Sequence, residues 1–452
     1  MATATDGSKP LRVAFCHPDL GLGGAERLVV DAATELAQRG HKVDMYTAYY
    51  NPNRCFEETR SGLFAVKTAG TWFPRSILGR AMALCAYIRC ILVAFRIAWD
   101  SREEGYDVIF VDQVSAVNPF LKLLTSGQVL FYCHFPDLLL AQRRSPLHML
   151  YRLPLDWIEE MTTGWADMIF VNSNFTKRIF AETFSRLAKR GIRPSVLYPA
   201  VHPPTDSELE TAENNWETML PNKIVELIKG GPTFVSINRF ERKKNIGLAV
   251  GALRQLIKED PSTRISPATS TSNATTSTED FESSVLPPGV PRLVIAGGYD
   301  ARLSENVQYL TELGRMASTM HVRDRIVFLP SFTNSQRQAL LASCIGVLYT
   351  PEGEHFGIVP LEAMASGTPV IACNSGGPLE SVVQGKTGYL CKPLAENFAA
   401  AMKELMKEGV SESMGRQAQV HVRLKFSRAA FGEKLNQAVL MLAEKKMKRK
   451  AQ

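Results

Sequence analysis

Short apolar runs alternating with amphipathic stretches constrain this chain most, because a repeated strand–helix–strand order leaves few folds open. Leu11-Arg12-Val13-Ala14-Phe15-Cys16 reads as a short buried strand. A Gly-rich turn follows at Gly21-Leu22-Gly23-Gly24, then an amphipathic helix over about residues 25–39, with Gly40 at the expected C-terminal cap. Residues 41–47 read as the next strand, so the chain opens with a βαβ unit. Runs at 107–111, 128–132 and 168–171 continue the pattern. A second series starts after Gly230-Gly231-Pro232, with runs at 233–237, 291–296, 325–329, 346–349 and 369–372. The expectation is an α/β chain with two doubly wound parallel sheets, whose ligands bind beyond the carboxyl ends of the strands.

At 452 residues, 45 % of them apolar, the chain is too long for one ordinary domain and has enough apolar content for real cores. The expected domains are 1–204 and 232–415, joined by a linker over 205–231 and followed by a C-terminal helix and basic tail over 416–452. Residues 261–288 are dense in Ser and Thr, cannot build a core, and read as a disordered surface insertion. Asn273-Ala274-Thr275 inside it matches a glycosylation acceptor, but the polar N-terminus lacks an apolar signal region, which argues against secretion. The eight cysteines are scattered with no C-x-x-C spacing, so buried free thiols in a reducing compartment are expected, and no zinc site. The net charge of +7 is modest; it fits a soluble surface, an anionic membrane surface or phosphate-rich ligands. No nucleic-acid partner is expected.

The densest chemistry lies in Pro351-Glu352-Gly353-Glu354-His355-Phe356-Gly357-Ile358-Val359-Pro360-Leu361-Glu362. Glu354 sits in a Gly-rich loop and Glu362 where an apolar, Ala-rich helix should begin. Gly353 and Gly357 let the backbone turn and approach a ligand closely. A helix starting near Val359 aims its free N–H groups, with Phe356, Gly357 and Ile358 leading into it, at an anion. Phosphate and hydroxyls together point to a sugar nucleotide.

Arg239 and Lys244 follow a strand, five residues apart, and suit a diphosphate; a solvated basic loop is the plainer alternative. Gly297-Gly298 and Ser375-Gly376-Gly377-Pro378 end two further strands. Gly23-Gly24-Ala25-Glu26-Arg27 joins a strand to a helix, where a Gly turn can accept a diphosphate or a hydroxyl. His134, in Cys133-His134-Phe135-Pro136-Asp137, stands at a strand's carboxyl end before a Pro break and is expected to point toward the ligand side; a packed or capping histidine is the plainer alternative. No Asp-x-Asp pair is present to hold a diphosphate through a metal, so no metal site is assigned.

Taken in order, the Gly-Gly-Ala-Glu-Arg turn, Arg239 and Lys244, Gly297-Gly298, and Glu354 and Glu362 with Ala-Met-Ala-Ser-Gly-Thr-Pro-Val-Ile-Ala resemble the retaining glycosyltransferases of family 4. That resemblance implies the GT-B fold, two Rossmann-like domains facing across a cleft. Gly-Glu-His-Phe-Gly-Ile-Val-Pro-Leu-Glu-Ala-Met, with His17-Pro18-Asp19-Leu20-Gly21 and the His134 string, is similar to the mannosyltransferases of dolichol-linked oligosaccharide assembly. This implies a GDP-mannose donor and a dolichol-diphosphate oligosaccharide acceptor at the cytosolic face of the endoplasmic reticulum membrane. It also implies addition of α-1,3- and then α-1,6-linked mannose, and a complex with other glycosyltransferases of the pathway. By the same resemblance Arg239 and Lys244 bind the diphosphate, Glu354 the mannose and Glu362 the ribose, Gly23 and Gly24 let the first domain close on the donor, and His134 faces the reacting sugar. No general base is identifiable from sequence. Another nucleotide sugar or acceptor, or a noncatalytic sugar-nucleotide-binding scaffold, are the alternatives.

Residues 77–99 are strongly apolar but interrupted by Arg80, Arg89 and Arg96. Arg89 and Arg96, seven apart, are expected on one helix face at a membrane interface; a buried core helix and a spanning helix are the other readings. The basic tail after Lys445 could add attraction to anionic lipid or be a frayed end.

Overall fold

The computed structural model describes residues 9–77, 81–141, 146–259 and 289–451. The insertion expected over 261–288 lies outside the described residues. The chain forms two compact units, one of residues 1–200 with 425–452 and one of residues 201–424.

The first unit carries a seven-stranded parallel sheet. Its strands are β1 (Arg12–His17), β2 (Lys42–Thr47), β3 (Ala65–Thr68), β4 (Val108–Asp112), β5 (Gln128–Cys133), β6 (Met168–Val171) and β7 (Ser195–Val196), in the order β3-β2-β1-β4-β5-β6-β7. Side chains alternate across it as a strand's period of two requires. Val13, Phe15, Phe110, Leu130 and Tyr132 pack into one apolar layer with the Gly24–Gln38 helix. Ala14, Cys16, Ile109, Val111, Val129 and Phe131 pack into the opposite layer with the Met82–Asp100 helix. Both faces being covered explains why these strands read as unbroken apolar runs.

The second unit has a six-stranded parallel sheet: β8 (Thr233–Ile237), β9 (Arg292–Gly297), β10 (Ile326–Pro330), β11 (Gly346–Tyr349), β12 (Val370–Cys373) and β13 (Gly388–Cys391), ordered β10-β9-β8-β11-β12-β13. In each sheet the chain first builds outward to one side and then returns to build on the other. The reversal falls between β1 and β4, and between β8 and β11. There the connections leave in opposite directions and the strand ends open a crevice.

Four expectations change. Residues 205–231, expected as a linker between domains, form two helices, Asp206–Met219 and Asn222–Lys229, that belong to the second unit. Thr205 and Glu208 cap the first reciprocally, and Ile224 and Leu227 of the second are buried. Residues 416–452 do not form one appendage. The Val410–Lys425 helix ends the second unit, whereas the Arg428–Ala451 helix returns to the first. Its Phe431, Leu435, Val439 and Leu442 recur at helical spacing and join the same layer as Val13 and Phe15. Within the tail, Lys446 is buried, its Nζ donating to the Tyr106 carbonyl at 2.8 Å and pairing with Asp107 at 3.3 Å. The short strands β3, β7 and β13 are only partly buried and carry no apolar run that would reveal them.

The fourth change concerns the apolar stretch after residue 77. The Met82–Asp100 helix is long and apolar enough to cross a membrane, but Cys85, Cys90, Val93, Ala94 and Ile97 are buried against the first sheet. Arg89 is buried as well. Its Nη2 lies 2.8 Å from Asp19 Oδ1 and donates to the Ala48 carbonyl at 2.9 Å. Arg89 is therefore no membrane contact; Asp19 supplies the charge that lets a guanidinium sit there. Arg96 is exposed and bonds Asp100 at 2.8 Å. Seven residues return to nearly the same helix face, but burial depends on what packs along the helix as well as on the angle around it.

Candidate active site

In the second unit the functional side chains hang from loops at the β8–β11 reversal. After β8 the backbone runs so close to the end of β9 that a Cβ on Gly297 would fall 1.6 Å from the Asn238 carbonyl oxygen. The Phe240 N–H donates to the Gly298 carbonyl at 3.2 Å, and a Cβ on Gly298 would press on the Arg239 side chain. These two glycines thus set the course of the loop carrying Arg239 and Lys244. The Lys244 carbonyl accepts a 2.7 Å hydrogen bond from the Thr350 hydroxyl, which ties that loop to the end of β11.

The glutamate loop follows β11. Gly376 and Gly377 lie against it: a Cβ on Gly376 would fall 2.3 Å from the Glu354 carbonyl oxygen, and one on Gly377 2.0 Å from that of Phe356. The Gly377 N–H donates to the Glu354 carbonyl at 2.8 Å, and the Gly353 N–H to the Ser375 hydroxyl at 3.1 Å. At Gly377 the need for glycine is one of space; Gly376 also has φ +65°, in the left-handed region. Gly357 has φ +80°, the left-handed region that glycine enters freely, and the Ile358–Ala365 helix starts immediately after it. The N–H groups of Ile358 and Val359 have no acceptor inside the helix, and Pro360 has none to donate.

Lys244 Nζ lies 2.6 Å from Glu354 Oε2, with the lysine side chain only 12 % exposed. Arg337 Nη1 lies 2.6 Å from Glu362 Oε1. Arg239 stays apart from these pairs; its side chain is 67 % exposed and 3.2 Å from Glu241. His355 has its pKa lowered, first by burial and then by Lys244 and Lys243 against an opposing pull from Glu354. It is therefore a neutral ring beside two charges. The arrangement offers a lysine, an exposed arginine and helix amides to an anion, and two oriented carboxylates to hydroxyls.

In the first unit a second cluster stands at the β1–β4 reversal. His17 ends β1, Asp112 ends β4, and His134 follows β5. Asp112 is buried; its Oδ2 is 2.9 Å from His17 Nδ1 and its Oδ1 2.8 Å from His134 Nε2. Burial alone would raise the Asp112 pKa, but the charge and hydrogen bonds of the two histidines lower it. For His134, burial opposes the charged form, yet Asp112 and then Glu26 outweigh it and raise the pKa. Glu26 comes from the first turn of the Gly24–Gln38 helix. A Cβ on Gly23 would fall 2.3 Å from Glu26 Oε2, so a side chain there would displace the carboxylate, whereas Gly24 faces open space. Beside the cluster lies a cavity of about 230 Å³ lined by His17, Asp19, Glu26, Arg89 and Gln113, among others. Glu159 accepts from the amides of Asp137 (2.7 Å) and Leu138 (3.1 Å) and so fixes the loop after His134; burial pushes its pKa up to about 7.

The structure therefore brings Lys244 to Glu354, and joins Glu362 to Arg337, which the sequence reading did not single out. It also places His134 and His17 on the two oxygens of Asp112. Asp112 could have been marked by its place at the end of an apolar run, the position that already marked His134. Arg337 lies in the Asn334–Ser343 helix with no motif around it. Among the described residues no group of three or more His, Cys, Asp or Glu side chains is placed to hold a metal ion.

Residues 22–186 match Glycosyltransferase Family 4, and residues 289–421 match Glycosyl transferases group 1. Among solved structures, sucrose-phosphate synthase from Thermosynechococcus elongatus superposes with a TM-score of 0.66 at 20 % identity, covering 96 % of this chain and 99 % of that one. A glycosyltransferase from Rickettsia africae gives 0.65 at 15 %, covering 96 % and 99 %. With the two reversed parallel sheets, these matches define a glycosyltransferase of the GT-B fold. The chain is 44 % identical over 436 residues to the alpha-1,3/1,6-mannosyltransferase ALG2 of Mus musculus, covering 95 % of this chain and 96 % of the relative. It is 37 % identical over 459 residues to that of Saccharomyces cerevisiae, covering 94 % and 84 %. The chain belongs to the alpha-1,3/1,6-mannosyltransferase family.

The Asp112 contact carries a testable consequence for His134. Replacing the carboxylate by an amide (Asp112→Asn) removes the charge that favours the imidazolium, so the His134 pKa falls. NMR titration of the ring protons reads this directly; a value unchanged from the native chain contradicts the ion pair.

Proposed function

We propose that the chain is a retaining, GDP-mannose-dependent mannosyltransferase. It adds α-1,3- and then α-1,6-linked mannose to a dolichol-diphosphate oligosaccharide bearing one mannose, in N-glycan precursor assembly. The observation that carries this reading is the Lys244–Glu354 pair set beside the N-terminus of the Ile358–Ala365 helix. A diphosphate would take Lys244, Arg239 and the free amides; Glu354 would turn to the mannose hydroxyls and Glu362, held by Arg337, to the ribose. As the C1–O bond breaks, negative charge grows on the departing diphosphate, where preorganised cations and amides lower the barrier most. Gly297, Gly298, Gly376 and Gly377 shape the loops, and Gly23 serves Glu26 in the first unit. Family membership supports mannose as the sugar; guanine and dolichol rest on the resemblance to the mannosyltransferases of the lipid-linked pathway.

A membrane location at the cytosolic face of the endoplasmic reticulum suits that acceptor, and the Pro146–Thr163 helix supports membrane contact. Its amphipathicity is inverted. Arg152, Leu155 and Glu159 point inward, with Arg152 bonded to Asp137 and Asp156, while Met149, Leu150, Leu153 and Trp157 are exposed. An outward stripe of large apolar side chains suits insertion into the headgroup region of a bilayer. Arg143 and Arg144 stand just before it in sequence.

Two measurements bear on this reading. Lys244→Ala is expected to lower kcat/KM about 100-fold or more with GDP-mannose and a short lipid-diphosphate acceptor; undiminished turnover contradicts the diphosphate assignment. In flotation with vesicles containing phosphatidylserine, the native chain is expected to rise with the lipid and the Leu150→Glu, Leu153→Glu double variant to stay behind. Equal flotation of the two contradicts the docking helix.

A further inference from the structure

In the second unit the Lys244 and Glu354 loops leave the carboxyl ends of the strands. A hollow of about 430 Å³ lies at the opposite, amino ends, between the turn that enters β13 and the Val410–Lys425 helix. Its walls are fixed by backbone contacts. In the turn, the Gly385 N–H donates to the Gly388 carbonyl at 2.9 Å and the Lys386 N–H to the Val383 carbonyl at 3.0 Å. The Val383 N–H donates to the hydroxyl of buried Thr387 at 2.9 Å. On the helix side, a Cβ on Gly415 would fall 1.9 Å from the carbonyl oxygen of Gly367, which lies just before β12. His421 Nε2 donates to the Ser381 carbonyl at 3.1 Å. Arg416 and Val420, and Gln417 and His421, are each four apart, so one helix face lines the hollow.

Lys386 from the turn and Arg416 from the helix are both exposed, and among the described residues neither has an ion-pair or hydrogen-bond partner. No aspartate or glutamate lines the hollow among the described residues. Two like charges thus face one recess without a counter-ion, an arrangement that a bound anion relieves. Val383 and Val420, 37 % and 57 % exposed, give the same recess an apolar edge.

We propose that this hollow is a second ligand site, which binds a small phosphate ester. The phosphate sits between Lys386 and Arg416, and the organic part lies over Val383 and Val420. A phosphate has oxygens enough for the Arg416 fork and the Lys386 point charge together, where a carboxylate has only two. The volume suits a small molecule. Because the walls are held before any ligand arrives, binding orders only two side chains. The site goes beyond the donor reading and stands whether or not the sugar nucleotide is GDP-mannose. A lipid headgroup and a soluble phosphate ester share this chemistry.

Calorimetry on the full chain with glycerol 3-phosphate tests the proposal. The native chain is expected to bind with a Kd of about 1 mM or tighter, and the Lys386→Ala, Arg416→Ala double variant at least about tenfold more weakly. Both side chains are exposed, so the fold survives their removal. Lys244→Ala separates the hollow from the donor loop and is expected to bind glycerol 3-phosphate as the native chain does. Dihexanoyl phosphatidic acid, a lipid that stays in solution, distinguishes the two sources of phosphate. Binding about tenfold tighter than that of glycerol 3-phosphate marks a lipid headgroup site, and equal binding a site for a soluble ester. No binding by the native chain, equal binding by the native chain and the double variant, or a loss confined to Lys244→Ala overturns the proposal.

Discussion

The reversal of strand order within each parallel sheet is the constraint on which the rest depends. A parallel sheet built outward from one strand and then continued on its other side must send neighbouring connections to opposite faces. At β1/β4 and at β8/β11 the connections leave in opposite directions, which opens a crevice at the strand ends. His17 and Asp112 end the two strands of the first reversal. Lys244 and Glu354 lie on the loops that leave the second. Chemistry collects at these points because the sheet fixes the strand ends from which these side chains and loops depart.

The two reversals are stocked differently, and the difference is electrostatic. In the second unit the charges are partly exposed pairs. Lys244–Glu354 and Arg337–Glu362 hold each other before any ligand is present, so a diphosphate or a hydroxyl needs to exchange partners rather than order free side chains. In the first unit one carboxylate is fully withdrawn from water, and a buried charge persists only where donors surround it. His17 and His134 provide them, which fixes the orientation of both rings. The glycines matter for a spatial reason at several positions. Side chains at 297, 376 or 377 would push apart loops whose backbones touch.

Much of this was legible in the sequence. Apolar runs between helices marked the two doubly wound sheets, because strands buried on both faces leave a continuous signal. The Gly-rich segment around Glu354 and Glu362 marked the loop that Lys244 meets at the second reversal, because close backbone approach needs glycine at fixed offsets. What escaped was set by long-range packing. Asp112 becomes special only when His17 and His134 arrive from neighbouring strands. Arg337 meets Glu362 from a separate helix. The C-terminal helix reads as a tail until Leu435 and Val439 are seen in the first unit's apolar layer. Arg89, placed at a membrane by its apolar surroundings, is instead the buried partner of Asp19, a contact that spans 70 positions of sequence. The Pro146–Thr163 helix also hid its meaning, since its charges face inward and its large apolar groups outward.

One polypeptide is responsible for two different linkages, α-1,3 and α-1,6. The most direct test of this is mass spectrometry with linkage analysis of the products formed from GDP-mannose and a lipid-diphosphate chitobiose acceptor bearing one mannose. The predicted result is stepwise addition of two hexoses to the same lipid-linked oligosaccharide, the first α-1,3-linked and the second α-1,6-linked. Recovery of the acceptor unchanged, or extension through any other linkage, would contradict it.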